Sequence, residues 1–181
     1  MKGLTLTQPY ATLVAIGAKK IETRSWATSY RGPLAFHAGA GLGPVGGKLA
    51  FVDLCLTEPF HDALLAAGVR RATTLPFGAV VAVVDLVDCC PIVLPKLLGD
   101  GAKKGEYLEI GQRGYTQRHE VRGAELAFGD YTPGRSAWLL AEIRALPQPI
   151  PCRGALGLWD VPADVEAQIA TQLQGATHVQ P

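Results

Sequence analysis

Residues 78–87 read GAVVAVVDLV, a run made almost wholly of apolar β-formers. Such residues fit a pleated, packed surface, so the chain must build a strand here. Residues 3–7 alternate, with Leu4 and Leu6 on one face, and also read as a strand. Residues 32–38 read as a buried strand with His37 near its end, 137–146 as a strand opening near Trp138, and 156–161 as a last short strand. Residues 147–151, rich in proline, are expected to break the chain. Helical spacing is confined to short stretches. One follows Pro9, with Thr7 or Gln8 near its cap, Ala11, Leu13, Val14 and Ile16 along it, and Gly17 at its end. Others cover 49–68, interrupted at Pro59, and 163–173. Several strands with few short helices predict an α+β fold built round a small β-barrel.

The chain has 181 residues, of which 48% are hydrophobic and 18% charged, so it has the composition of a globular protein and the length of one domain. The reading is a single domain over 1–162, with inserted loops near 39–76 and 92–134, then a C-terminal helix and tail over 163–181. Residues 39–47 hold five glycines and one proline, which marks a mobile loop, and the polar residues 99–136 read as an insertion or flap with one hairpin. No apolar stretch is long enough for a membrane span, and the first residues lack the apolar run of a secretory signal. A cytoplasmic protein with no membrane contact is therefore expected.

Cys55, Cys89, Cys90 and Cys152 form no CxxC pair. Adjacent Cys89 and Cys90 point to opposite faces of a strand, which suits reduced thiols better than a shared metal. His37, His61, His119 and His178 show no metal-ligand spacing. No phosphate-binding P-loop, dinucleotide fingerprint, zinc-protease or serine-hydrolase motif occurs. No metal and no cofactor are expected.

The net charge is +1, which excludes a broadly basic nucleic-acid coat but not a local basic site. Residues 1–48 carry Lys2, Lys19, Lys20, Arg24, Arg31 and Lys48 against Glu22 alone, so the remainder is net acidic. This asymmetry points to an anion-facing site in the N-terminal third, or to a solvated cationic face.

Within that third, Gln8-Pro9-Tyr10 precedes Gly17-Ala18-Lys19-Lys20-Ile21-Glu22-Thr23-Arg24-Ser25-Trp26. If 20–26 is a strand, Lys20, Glu22, Arg24 and Trp26 share a face, with Glu22 and Arg24 about 7 Å apart along the backbone. An ammonium, a carboxylate and a guanidinium so close can grip a phosphate or a base edge, or move a proton. The same residues also make an ordinary surface ion pair of small energy. Asp85 and Asp88, three apart in a strand, face opposite ways and read as strand-end features rather than an acid–base pair.

The segment LTLTQPYATLVAIGAKKIETRSW resembles the opening of the ASCH family, the activating signal cointegrator homology domains. Gln8, Pro9, Tyr10, Gly17, Lys19, Glu22 and Arg24 fill the family's pattern, with Trp26 following. The later GAVVAVVDLVDC resembles the family's central strand, and Gly134, Arg135, Trp138, Pro149, Pro151, Gly154 and Trp159 its C-terminal part. The resemblance implies a PUA-like fold: a small β-barrel with flanking helices, and a cleft beside the barrel walled by the Lys19–Glu22–Arg24 segment. It implies RNA or a modified nucleotide as ligand, and the modest net charge suits a small ligand or a short single strand better than a long duplex.

Some bacterial relatives are amidohydrolases that deacylate modified cytidine. They resemble this chain at Lys19 but carry Thr in the slot of Glu22. Others are linked to RNA cleavage. An amidohydrolase or ribonuclease using Lys19 and Glu22 is thus the alternative function, and a protein-interaction module in transcription or translation a third.

The residue roles follow from that reading. Lys19 would hold a phosphate or act as base, and Glu22 would accept from a base amino group or orient Lys19. Arg24 would pair with Glu22 or fork to phosphate. The family slot selects Lys19, whereas strict alternation selects Lys20. Gln8 would read a base edge or serve at the helix entry beside Pro9. Tyr10 and Trp26 would stack on a base or pack in the core. His37 and Arg135 are further ligand contacts, or respectively a core histidine and a loop arginine. Trp138 and Trp159 read as core.

Overall fold

A computed structural model describes residues 1–42, 47–92, 107–110 and 119–176. Among the described residues, eight strands and five α-helices follow one another as β1 (Lys2–Leu6), α1 (Tyr10–Ala15), β2 (Ile21–Arg24), β3 (Gly32–Ala38), α2 (Gly47–Leu56), α3 (Phe60–Ala66), β4 (Ala79–Pro91), β5 (Tyr107–Ile110), β6 (His119–Arg122), α4 (Ala124–Ala127), β7 (Ser136–Pro151), β8 (Leu158–Asp160) and α5 (Ala163–Ala176), with a single 3-10 turn at Ala72–Thr74. Six strands form the main sheet in the order β2-β7-β4-β3-β1-β8, and β5 with β6 forms a small antiparallel pair. All neighbours in the main sheet are antiparallel except β1 and β3.

The GAVVAVVDLV run lies mostly in β4, in the middle of the sheet. Its near-continuous apolarity has a physical reason: both faces are covered. Leu34, Phe36, Val84 and Leu86 pack with Ala11 and Val14 of α1. Ala35, Val80 and Val83 face the other way, onto Val165 and Ile169 of α5. Leu13, on the far side of α1, joins Phe51, Cys55, Phe60 and Leu64 of α2 and α3, so α1 is sandwiched between sheet and helices.

The sheet curls into a half-barrel. Its first strand, β2, and its fifth, β1, are far apart in the ladder, yet Arg24 Nη2 donates to Thr5 O across the opening at 2.9 Å. The α+β fold with a small barrel-like sheet, read from the sequence, is thus present. Within the region 39–76, α2 and α3 occupy the stretch where helical spacing was read, and they are separated at Pro59 as that spacing predicted. One local expectation is corrected: residues 147–151 do not break the chain, because β7 continues through Pro151. Val80 pairs Ile150 and Ala82 pairs Ala145, so 146–149 bulge opposite Val81 and put Pro147 and Pro149 outside the regular ladder. Gln172 of α5 satisfies the bulge, accepting from Gln148 N at 2.9 Å and donating to Gln148 O at 3.0 Å. In the glycine-rich loop 39–47, residues 43–46 lie outside the described residues. So do 93–106 and 111–118, which hold much of the expected insertion, and the tail 177–181.

Candidate functional site

A cleft of about 540 Å³ opens where the half-barrel is incomplete. Thr5, Leu6 and Thr7 at the end of β1 and Tyr10 at the start of α1 form one side. Glu22, Thr23 and Arg24 of β2 form another, 127–130 at the end of α4 and the turn after it a third, and 155–157 before β8 the lip. The three polar wall residues of β2 are therefore held opposite a β1 terminus and two loops that come from distant parts of the chain.

Lys19 stands directly behind this wall and is 1% exposed. Its Nζ donates to Ile21 O at 2.5 Å and Phe128 O at 2.6 Å, and lies 3.4 Å from Glu22 Oε2. An ammonium has three protons, and three oxygens surround it. Lys19 consequently fixes the Glu22 carboxylate and ties β2 to the 127–130 turn. It does not line the cleft. Lys20 is exposed, because β2 starts only at Ile21 and strand alternation does not reach it. On the other side of the carboxylate, Arg24 Nε lies 3.1 Å from Glu22 Oε1. That Nε is buried and its N–H has no aligned acceptor. The result is a Lys–Glu–Arg row in which the cation at one end is sealed and the guanidinium at the other faces the cleft.

Tyr10 forms a floor, its ring edge-on to Phe60 at 5.8 Å between centroids. Burial, and next the charge of Glu22, push its phenol above the ordinary range, so Tyr10 stays protonated and able to donate. Asp130 is positioned by Thr23 Oγ1, which accepts from its N–H at 2.9 Å. Arg135 Nε donates to Asp130 O at 3.1 Å and its Nη2 to Thr23 O at 3.4 Å, so it pins that turn to β2 and does not line the cleft.

The other residues singled out from the sequence lie elsewhere. Gln8 is fully buried, with Nε2 donating to Pro76 O at 2.7 Å and Oε1 accepting from Thr12 N at 3.2 Å. Its amide is used at the helix entry, not on a ligand, and Pro9 is buried beside it. Trp26 packs edge-on against Trp138 at 4.7 Å. Asp85 pairs with Arg144 and Asp88 with Arg31, in separate ion pairs. Sequence reasoning missed Glu125, whose carboxylate accepts from Lys20 N at 2.8 Å and Ile21 N at 3.2 Å and so holds the start of β2. It lies over a hundred residues from its partners, and no local pattern marks it. Burial outweighs these hydrogen bonds and pushes the Glu125 carboxyl above its usual range. Thr5, Asp130 and the wholly exposed Leu156 were missed for the same reason.

His37 is 2% exposed and sits behind the lip rather than in the cleft. Its Nε2 lies 3.1 Å from Cys152 O, its Nδ1 has no partner among the described residues, and its ring meets Trp159 edge-on. Burial depresses its pKa below the ordinary 6.5, outweighing the backbone at Cys152, whose carbonyl faces the ring N–H, and at Gly78, both of which act the other way. The unfolded chain therefore takes up the proton first as pH falls. The stability that neutral His37 contributes is full above about pH 6.5 and is lost on acidification, by at most about 1.4 kcal/mol per pH unit. Urea unfolding between about pH 7.5 and 5.5 should show a steeper acid loss in wild type than in His37→Gln; parallel curves would contradict it.

Gly154 makes the lip possible. A Cβ there would lie 2.5 Å from His37 Nδ1 and 2.6 Å from Thr5 Oγ1. Gly154→Ala is expected to cost about 1–3 kcal/mol by overpacking, read as a lower urea midpoint, whereas an unchanged midpoint would show that the lip can shift freely.

Residues 4–146 match the model of the ASCH domain. The chain belongs to the ASCH domain family. Activating signal cointegrator 1 from Mus musculus and from Homo sapiens are each 31% identical over 86 residues. That stretch is 48% of this ASCH chain but only 14% of either relative. The crystal structure of a mutant ASCH protein from Zymomonas mobilis is similar to this chain, with a TM-score of 0.48, 12% identity, and coverage of 94% of this chain and 96% of that one. Among the described residues, no helix is long and apolar enough to cross a membrane.

Proposed function

We propose that this ASCH domain binds a nucleotide, either modified and free or within a short single-stranded RNA, in the cleft walled by Tyr10, Glu22 and Arg24. The observation that carries the reading is the Glu22–Arg24 pair on one wall of an open cleft, backed by a sealed cation. The cleft's volume lies in the range of small-ligand sites. Arg24 donates to a phosphate, for which a planar guanidinium is suited. Glu22, held in place by Lys19, accepts from an exocyclic base amino group. Tyr10 offers a ring face and a hydroxyl proton, and exposed Leu156 an apolar cover at the lip. One arginine fits a ligand with few phosphates, so affinity should fall only gently with salt.

Fluorescence anisotropy with a labelled short RNA, competed by nucleoside monophosphates, tests this. Arg24→Ala is expected to weaken binding at least about tenfold, since a charged hydrogen bond is worth about 1.5–3 kcal/mol. Lys20→Ala should change little. Equal affinities for wild type and Arg24→Ala would overturn the reading. The hydrolase alternative makes a separate demand: incubation with N4-acylated cytidine or labelled RNA must give turnover that Glu22→Gln abolishes. That alternative rests on Glu22 rather than Lys19, because the Lys19 ammonium already donates to Ile21 O and Phe128 O behind the wall.

A further inference from the structure

A second constellation lies away from the cleft, where the end of β4 meets β6. Asp88, Cys90 and His119 each place one ligand atom so that all three lie within 4.8 Å of one another. We propose that these side chains form a binding site for a zinc-type divalent cation that clasps β6 to the main sheet. The site is independent of the nucleotide reading.

The donor set is one carboxylate, one thiol and one imidazole. That mixture suits zinc and related borderline metals, whereas calcium and magnesium prefer oxygen alone. With metal–sulfur near 2.3 Å and metal–nitrogen or –oxygen near 2.0 Å, tetrahedral geometry places ligand atoms about 3.5 Å apart. Cys90 Sγ and Asp88 Oδ2 already stand 3.3 Å apart, the thiol donating to the carboxylate.

Three further observations support a built site. Cys90 is only 8% exposed. His119 Nε2 is buried with no hydrogen-bond partner among the described residues. The other carboxylate oxygen, Asp88 Oδ1, is held at 2.8 Å both by Arg31 Nη2 and by Cys89 N, which turns Oδ2 toward Cys90. Outer contacts of this kind orient metal ligands. Asp88 is 42% exposed on its side chain, leaving room for water or a fourth donor. Burial, then Asp88, push the Cys90 thiol up to about 12 without a cation. A bound dication reverses that balance: the S–H proton goes to solvent and the thiolate takes the metal, one proton per ion.

The fold gives the clasp a structural task. β5 and β6 form a sheet of their own, and Val121 of β6 reaches the main sheet through a cluster with Ile21, Cys90, Ile92, Ala137 and Leu139. A metal bridging Cys90 and His119 would join the two sheets beside that cluster. Sequence spacing conceals the set, because His119 comes from a separate strand. Cys89 takes no part, since its sulfur accepts from Thr28 N on the opposite face.

The experiment is titration of the reduced, chelator-treated full chain with Co²⁺ alone, followed by displacement with Zn²⁺. The expected result is one ion per chain, a near-ultraviolet thiolate–cobalt band, tetrahedral visible bands, and a rise in Tm with Zn²⁺. Cys90→Ser should abolish the thiolate band. His119→Ala and Asp88→Asn should each weaken Zn²⁺ binding more than about tenfold, as outer-contact losses alone reach that size. Cys89→Ser should keep the band. His61→Ala, in the exposed Glu58–His61–Asp62 cluster, should also keep it. Circular dichroism confirms that each variant is folded, and Asp88→Asn serves if Cys90→Ser is not. A wild type without a thiolate band overturns the proposal. So does a band that survives Cys90→Ser, or binding that follows His61.

Discussion

Lys19→Ala is expected to destabilise the protein by about 3–5 kcal/mol, the range for breaking a buried ion pair by removing one partner. The substitution strands three acceptors at once: Ile21 O, Phe128 O and Glu22 Oε2. Each carbonyl was desolvated in exchange for a charged donor, and neither recovers one from alanine. Lys19→Met separates charge from volume. It fills most of the space yet supplies no proton, so it should lose nearly as much as alanine. Adding Glu22→Gln to Lys19→Met should restore part of the loss, because the carboxylate left beside a missing cation is then neutral. Urea unfolding of Lys19→Ala and of the cycle formed by wild type, Lys19→Met, Glu22→Gln and the double variant checks this. A Lys19→Met protein as stable as wild type would show that the lysine is dispensable, and with it the account of how Glu22 is held.

The second large effect is expected at Trp138. The residue is fully buried in the main cluster, and its Nε1 donates to Trp26 O at 3.3 Å. In the β2–β7 ladder it stands opposite Glu22. Trp138→Ala should cost about 3–5 kcal/mol, as deletion of a buried aromatic usually does. It should also lower ligand affinity at temperatures where the variant is still folded, because the strand carrying Glu22 and Arg24 loses its packing on β7. Trp138→Phe keeps a ring against Trp26 but no donor, so it should lose less stability and retain binding. Thermal unfolding and anisotropy on the same samples separate the two effects. Full stability in Trp138→Ala would contradict the packing described here.

Patterns confined to one segment were legible in the sequence. The β4 run, the alternation in β1, the short helix after Pro9 and the stop at Pro59 each follow from nearest-neighbour physics and appear where expected. The family resemblance put Lys19, Glu22 and Arg24 together on a cleft wall; Glu22 and Arg24 line the cleft, whereas Lys19 is sealed behind it. What the sequence could not show depends on partners far along the chain. Lys19 is buried because Phe128 O meets it from 109 residues away. Gln8 is committed because Pro76 O takes its amide proton. Nothing local distinguishes these from a lysine or glutamine at a ligand. The proline-rich end of β7 misleads for a related reason: a bulge, together with Gln172 from α5, makes strand geometry tolerable where composition alone argues against it.

A nucleotide seated against Glu22 and Arg24, as proposed, changes the surroundings of the backbone that lines the cleft. Amide NMR of the full chain, titrated with cytidine monophosphate and with a short single-stranded RNA, reads that change residue by residue. Shifts are predicted at Thr5, Thr7, Thr23, Arg24, Gly129, Leu156 and Gly157, and they should vanish in Arg24→Ala. No shifts at all, or shifts gathered instead around Val52, His61 and Arg70 in the groove between α2 and α3, would contradict it.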